Sequence, residues 1–316
     1  MLGYSLVGEE HSPRALVRHA VLAEEAGFEF AFVSDHYHPW CEAQGHSPHV
    51  WSLLGALSQV TRRMHLGTAV TCPGIRNHPV LVAQAAATCA ILAENRFFLG
   101  VGTGEHLNEH VTGRGWPAFP ERLAMLAESI EVIRLLWRGE ACSHRGRFYS
   151  ADRARVYDLP SKPPPIYMAA SGPGAAAAAA KLADGLIGLG ADAPVVSAYR
   201  RGGTGPCFTQ LSVCWAPRMD QALETVCRLW PVIALPGTLY VDLATPADFE
   251  AATRLIRPED VAASLVYGPD PLPYVQAIRE CHRAGFEHVS VHPIGPDQEG
   301  FFRFWLEEVR PGLSDL

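Results

Sequence analysis

The run Val33-Ser34-Asp35-His36-Tyr37-His38-Pro39-Trp40 is the richest in groups that can move protons. A histidine placed directly after an apolar strand can hydrogen-bond a substrate hydroxyl and take its proton near neutral pH. Asp35 beside it can fix the tautomer of the ring, and Trp40 can wall a pocket. A loop histidine that merely caps backbone groups is the competing reading. In Gly100-Val101-Gly102-Thr103-Gly104-Glu105 the glycines let backbone approach a planar ligand, because no Cβ stands in the way. Glu105 offers a carboxyl for general acid work, although a loop glutamate is often simply solvated. The run lacks the full GxGxxG spacing, so a dinucleotide fingerprint is the poorer interpretation. Ser171-Gly172-Pro173-Gly174 precedes six consecutive alanines, 175–180. Such a loop feeding a helix presents free N–H groups to an anion, a phosphate for example. An ordinary helix start would look the same.

Other chemistries find less support. The 14 histidines make no HExxH, and no metal site is expected. A GxSxG nucleophile elbow is absent, which disfavours an α/β-hydrolase. A formal net charge of −7 argues against a nucleic-acid partner. No stretch approaches the roughly 18 apolar residues of a membrane span, and no secretory signal is visible after Met1. The cysteines at 41, 72, 89, 142, 207, 214, 227 and 281 form no CxxC pair, so they read as reduced thiols of a cytoplasmic protein.

The elements that must position these groups follow a βα rhythm. Hydrophobic residues make up 48% of 316 and charged residues 19%, enough for a large core. Strands are predicted at 2–6, 28–33, 64–70, 96–101, 166–170, 185–188, 207–215 and 288–291. Helices are predicted at 13–26, 50–61, 79–94, 121–137, 174–181, 273–284 and 301–309. Ser12-Pro13 is a favourable helix start and Gly27 a favourable stop. Three excursions, about 36–49, 139–165 and 216–265, the last helical with loops, interrupt the rhythm. No linker or internal repeat is seen, so residues 1–316 read as one domain. A doubly wound sheet shares this alternation. Polar residues recurring just after strands (Glu9, Asp35-His36, Thr71-Cys72, Gly102–Glu105, Ser171-Gly172, His292) favour an α/β (β/α)8 TIM barrel with insertions, whose sites gather at the C-terminal mouth.

Ser-Asp-His-x-x-Pro-Trp together with Gly-Val-Gly-Thr-Gly-Glu-x-Leu-Asn-Glu resembles the coenzyme-F420-dependent glucose-6-phosphate dehydrogenase family, within the bacterial-luciferase-like barrel superfamily. The similarity runs from Gly3-Tyr4 to His292, with a deletion around 193–206. The resemblance implies a luciferase-like barrel, a homodimer, with the deazaflavin F420 in its mouth. It makes His36 the catalytic base or the group that stabilises the reduced ring. Glu105 becomes the proton donor to the ring nitrogen, Trp40 the neighbour of the reacting centre and Glu9 a further pocket acid. Asp35, Thr71, Gly102, Thr103, Gly104 and Asn108 fall at cofactor-binding positions. Ala69 and Val70 match a strand end with a non-proline cis peptide. Ser171 and Gly172 match the cofactor's phosphate cradle.

The chain departs from that pattern on the substrate side. Three basic residues that hold a sugar phosphate align with Asp192, Tyr240 and Ser264. Losing three cations and gaining a carboxylate removes the complement of a phosphate dianion. The expected activity is an F420-dependent dehydrogenase or reductase acting on a carbinol or carbonyl carbon of a non-phosphorylated small molecule, a glycoside or amino sugar being favoured. Redox-neutral epimerisation would use the same groups. An FMN-dependent monooxygenase is the alternative, and a non-catalytic cofactor carrier a more distant one.

Overall fold

Strands covered on both faces tend to be apolar along their length, as Phe30–Val33 and Phe97–Val101 are. The computed structural model covers residues 1–316. Eight parallel strands form a closed ring: β1 (Leu2–Leu6), β2 (Phe30–Val33), β3 (His65–Thr68), β4 (Phe97–Val101), β5 (Ile166–Ala169), β6 (Gly185–Leu189), β7 (Cys207–Cys214) and β8 (His288–Ile294). β1 pairs with β2 and β8, and β6 pairs with β7, so no edge is left open. This is the (β/α)8 barrel, with helices packed outside it.

The barrel interior is filled by Phe30, Phe32, Phe98, Ile187 and Phe208. Glycine makes room for them: a Cβ on Gly67 would stand 1.9 Å from the Phe98 ring. With that plug in place, the strand ends at the C-terminal mouth are where a ligand can be held. Ser12 caps the first helix (Pro13–Glu25) by accepting from the Ala15 N–H.

The structure differs from the sequence expectation in several places. Residues 193–200 form a helix that was not anticipated, because only eight residues separate its start from the Gly202-Gly203 turn. The 139–165 excursion contains an antiparallel hairpin, Cys142–Arg145 with Ser150–Ala154. The 216–265 excursion is helical with loops, as expected, and its helices, including Met219–Leu229, Leu239–Asp242 and Pro246–Thr253, pack on Trp40 and Val7. Val266–Tyr267 then adds a short strand beside β7. The closing helix starts at Gln298 rather than 301, because Asp297 caps it by accepting from the Gly300 N–H. No helix is long and apolar enough to cross a membrane.

Candidate active site

The strand ends deliver Glu9 after β1, His36 after β2 and Glu105 after β4 to one point. His36 Nε2 stands 3.4 Å from Glu9 Oε1 and 3.3 Å from Glu105 Oε2. The other ring nitrogen, Nδ1, is 3.2 Å from the His38 carbonyl oxygen, a contact that requires an N–H. In the neutral ring Nε2 therefore carries the lone pair, yet it faces two carboxyl groups. One proton must be shared among the three groups, on the imidazole or on a carboxyl. Loss of hydration raises the pKa of Glu105, against the pull of His36, and Glu9 raises it further. Glu105 keeps 27% of its side chain exposed.

Neighbouring contacts hold these groups still. Ser34 Oγ donates to Glu9 Oε2 at 2.6 Å. Asn108 Nδ2 donates to Glu105 Oε2 at 3.1 Å, while Asn108 Oδ1 accepts from the Tyr37 N–H at 2.8 Å. Glu105 sits at the N-cap of the short helix His106–Glu109, reached through Gly104 at φ +87, a conformation that glycine adopts without strain. The Trp40 ring lies 5.0 Å from the His36 ring and meets Phe249 edge-on.

Asp35 does not orient His36, contrary to the sequence reading. Its Oδ2 accepts from Thr71 Oγ1 at 2.7 Å and its Oδ1 from Arg76 Nη2 at 2.9 Å. Successive residues on extended chain point to opposite sides, so the His38 carbonyl takes the orienting role instead. The Ala69–Val70 peptide is cis, as the resemblance implies. Gly102 packs against this bulge, where a Cβ would come within 2.6 Å of Val70 Cγ2. Thr103 and Cys72 line a narrow cleft with Glu109, Trp116 and Arg122. Ser171 is exposed, and Gly172 begins the helix Pro173–Leu182 with no side chain capping its N-terminus. A Cβ on Gly172 or Gly174 would meet nothing within 4 Å, so the approach to this helix N-terminus is open, as a phosphate requires. The open helix N-terminus and the shared proton at His36 fit a phosphorylated cofactor.

The substrate-side positions are more scattered. Asp192 accepts from the Val195 N–H and caps the unanticipated helix. Ser264 is exposed and donates back to the Asp260 carbonyl. Tyr240 is half-buried against the apolar cluster containing Trp40 and Phe249. His292 lies inside β8 rather than beyond it. There it joins Glu10, which sequence reasoning missed: His292 Nε2 stands 3.4 Å from Glu10 Oε1, Trp230 Nε1 donates to the same oxygen, and the Gly295 N–H donates to Oε2 at 2.9 Å. Arg76 and Glu109 were also missed, since nothing local marks them as partners of Asp35. His106 and His110 are four residues apart, but their rings meet edge to face, and no third ligand-type residue completes a metal-ligating group.

Comparison with known proteins shows the family of the chain. The family model described as luciferase-like monooxygenase matches residues 2–288, and the chain belongs to that family. It is 36% identical over 325 residues to an F420-dependent glucose-6-phosphate dehydrogenase of Microbacterium testaceum, covering 98% of this chain and 96% of that protein. A Beutenbergia cavernae protein of the same description is 37% identical over 326 residues, with 99% and 97% covered. Among solved structures, an F420-dependent secondary alcohol dehydrogenase in complex with an F420–acetone adduct superposes with a TM-score of 0.93. It is 25% identical to this chain and covers 100% of it and 99% of its own length.

Proposed function

We propose that this luciferase-like chain oxidises or reduces a carbinol or carbonyl carbon of a non-phosphorylated substrate, with His36 taking or returning the hydroxyl proton. The chain is an F420-dependent oxidoreductase, a dehydrogenase or reductase of the luciferase-like class. F420, when bound, supplies a ring carbon that accepts or gives hydride. The observation that carries the reading is His36 Nε2 aimed between Glu9 and Glu105 with its Nδ1 held by the His38 carbonyl. That geometry leaves Nε2 able to accept a proton from an alcohol once Glu105 is neutral. Glu105 would hold a proton for the ring nitrogen of the cofactor. The Pro173–Leu182 helix N-terminus would bind the cofactor, and Trp40 would exclude water from the reacting centre.

The substrate is read from what the mouth lacks. No cation stands at 192, 240 or 264, so a phosphate dianion has no partner there. Asp192 and Ser264 already bond within their own loops, leaving Tyr240 as the polar group of the three that packs toward Trp40. A small secondary alcohol or ketone therefore gains ground over a glycoside or amino sugar. The same reading carries a homodimer in the cytoplasm, measurable by light scattering. Turnover with F420 on glucose-6-phosphate, glycosides, amino sugars and simple secondary alcohols tests the proposal, and should favour a non-phosphorylated compound. Glucose-6-phosphate as the best substrate, with Asp192→Lys giving no further gain, would sink the charge argument. A product epimeric at the carbinol carbon, without net F420 reduction, would assign the redox-neutral variant.

A further inference from the structure

Beneath the mouth, one buried guanidinium serves two carboxyl groups. Arg76 Nη2 donates to Asp35 Oδ1 at 2.9 Å and to the Asp35 carbonyl at 3.0 Å. Its backbone N–H donates to Glu109 Oε2 at 2.6 Å. Two polar atoms are left over. Arg76 Nε and Glu109 Oε1 are both buried, neither has a hydrogen-bond partner, and they face each other at 3.8 Å, just too far to bond. Glu109 is 2% exposed. It ends the short helix whose N-cap is Glu105, so it ties the proton-donor loop to the Asp35 pair.

We propose that Glu109 is a positioning residue for the cofactor site, which decides through Arg76 whether the guanidinium is committed to Asp35 or shared between two carboxylates, and so makes cofactor affinity depend on pH. The proposal rests on the reading of Asp35 as a cofactor contact. Neutral Glu109 leaves Arg76 to Asp35. Ionised Glu109 draws the free Nε–H across the gap and loosens the Asp35 contact. Loss of hydration pushes the Glu109 carboxyl up to about 7, even against the Arg76 N–H and guanidinium, so the exchange falls in the neutral range. The groups around it are Arg76, Asp35, Glu105, the Cys72 thiol and the Tyr149 hydroxyl, with Arg122 lining the same cleft. None of them supplies a hydrogen bond to Oε1, and the nearest donor is Arg76 Nε at 3.8 Å.

The test is F420 titration of the wild type, Glu109→Gln and Glu109→Ala between about pH 6 and about pH 8. Wild-type Kd should rise several-fold with pH. Glu109→Gln, which mimics the neutral acid, should keep the low-pH affinity throughout. Glu109→Ala should bind more weakly at every pH, because the Arg76 N–H loses its acceptor. Titration of the cofactor itself is common to all three proteins and cancels in their ratio. A readout without cofactor accompanies it. An acid whose folded pKa lies above its unfolded value near 4.5 costs stability as pH rises from about 4.5 to about 7, and the cost persists above that. The apo Glu109→Gln protein should thus melt several degrees above the wild type at about pH 8, the gap closing toward about pH 5. Tight binding in which Glu109→Gln tracks the wild-type pH profile overturns the inference alone. No F420 binding by the wild type at any pH overturns the cofactor reading, and the inference with it.

Discussion

Glu9 and Glu10 are consecutive, and each side chain is only 2% exposed, yet they belong to opposite kinds of site. Glu10 faces Trp230, His292 and the Gly295 N–H, and every polar atom there is matched. Burial alone would raise its pKa, but the bond and charge of His292, the charge of His11 and the Gly295 N–H bring it below the usual range. His292 Nδ1 is in turn 3.2 Å from Ser212 Oγ, which closes the network. Glu9 faces His36 across the mouth, where the imidazole Nε2 stands between two carboxyl groups. A matched network fixes structure, whereas an imidazole held between two carboxyl groups is the arrangement that acid–base chemistry calls for. The first ties the 216–265 excursion to β1 and β8.

Substitutions on the two sides should separate cleanly. His36→Ala should cut turnover by about 10²- to 10⁴-fold, the usual range for a positioned base, while F420 affinity stays within a few fold. Unchanged turnover would move the base to Glu9 or Glu105 and break the contrast. Glu10→Ala should instead cost about 3 kcal/mol of stability, seen as a lower midpoint in urea, because Trp230 and His292 lose a buried partner. Since the folded pKa of Glu10 lies below the unfolded value near 4.5, its contribution is present above about pH 4.5 and is lost as pH falls through the folded value. The stability difference between wild type and Glu10→Ala should shrink accordingly in acid. A smaller effect is expected from Asn108→Ala. It frees Glu105 and the Tyr37 N–H and should lower turnover about tenfold, with stability down by about 1 kcal/mol. Equal losses of stability from the Glu9 and Glu10 variants would say that both are structural.

Much of this was legible in the residues because βα units announce themselves locally. All eight barrel strands fall within two or three residues of their expected ends, since strands buried on both faces read as continuous apolar runs. His36, Trp40 and Glu105 were found because each follows or neighbours a strand end. Arg76 and Glu109 were not, because only the parallel pairing of β3 with β4 brings the loop after β3 onto the helix after β4. Asp192 carried a helix-start signal in Asp192-Ala193-Pro194, but it was given to the substrate instead. The direction of Asp35 was misread for a different reason: adjacency in sequence is not adjacency of side chains on extended backbone. The helices Leu239–Asp242 and Pro246–Thr253 of the 216–265 excursion are too short, and too dependent on packing against the cluster of Trp40 and Phe249, to be placed one by one from periodicity.

The central claim is that the mouth holds a deazaflavin while His36, Glu9 and Glu105 manage its protons. Its most direct test is a tryptophan-fluorescence titration of the purified protein with F420 and with FMN under identical conditions. Binding of F420 at least about tenfold tighter than FMN, a difference of about 1.4 kcal/mol, is the predicted result. Tighter binding of FMN, with oxygen consumed on reduction of the bound flavin, would contradict it and return the chain to the monooxygenase reading.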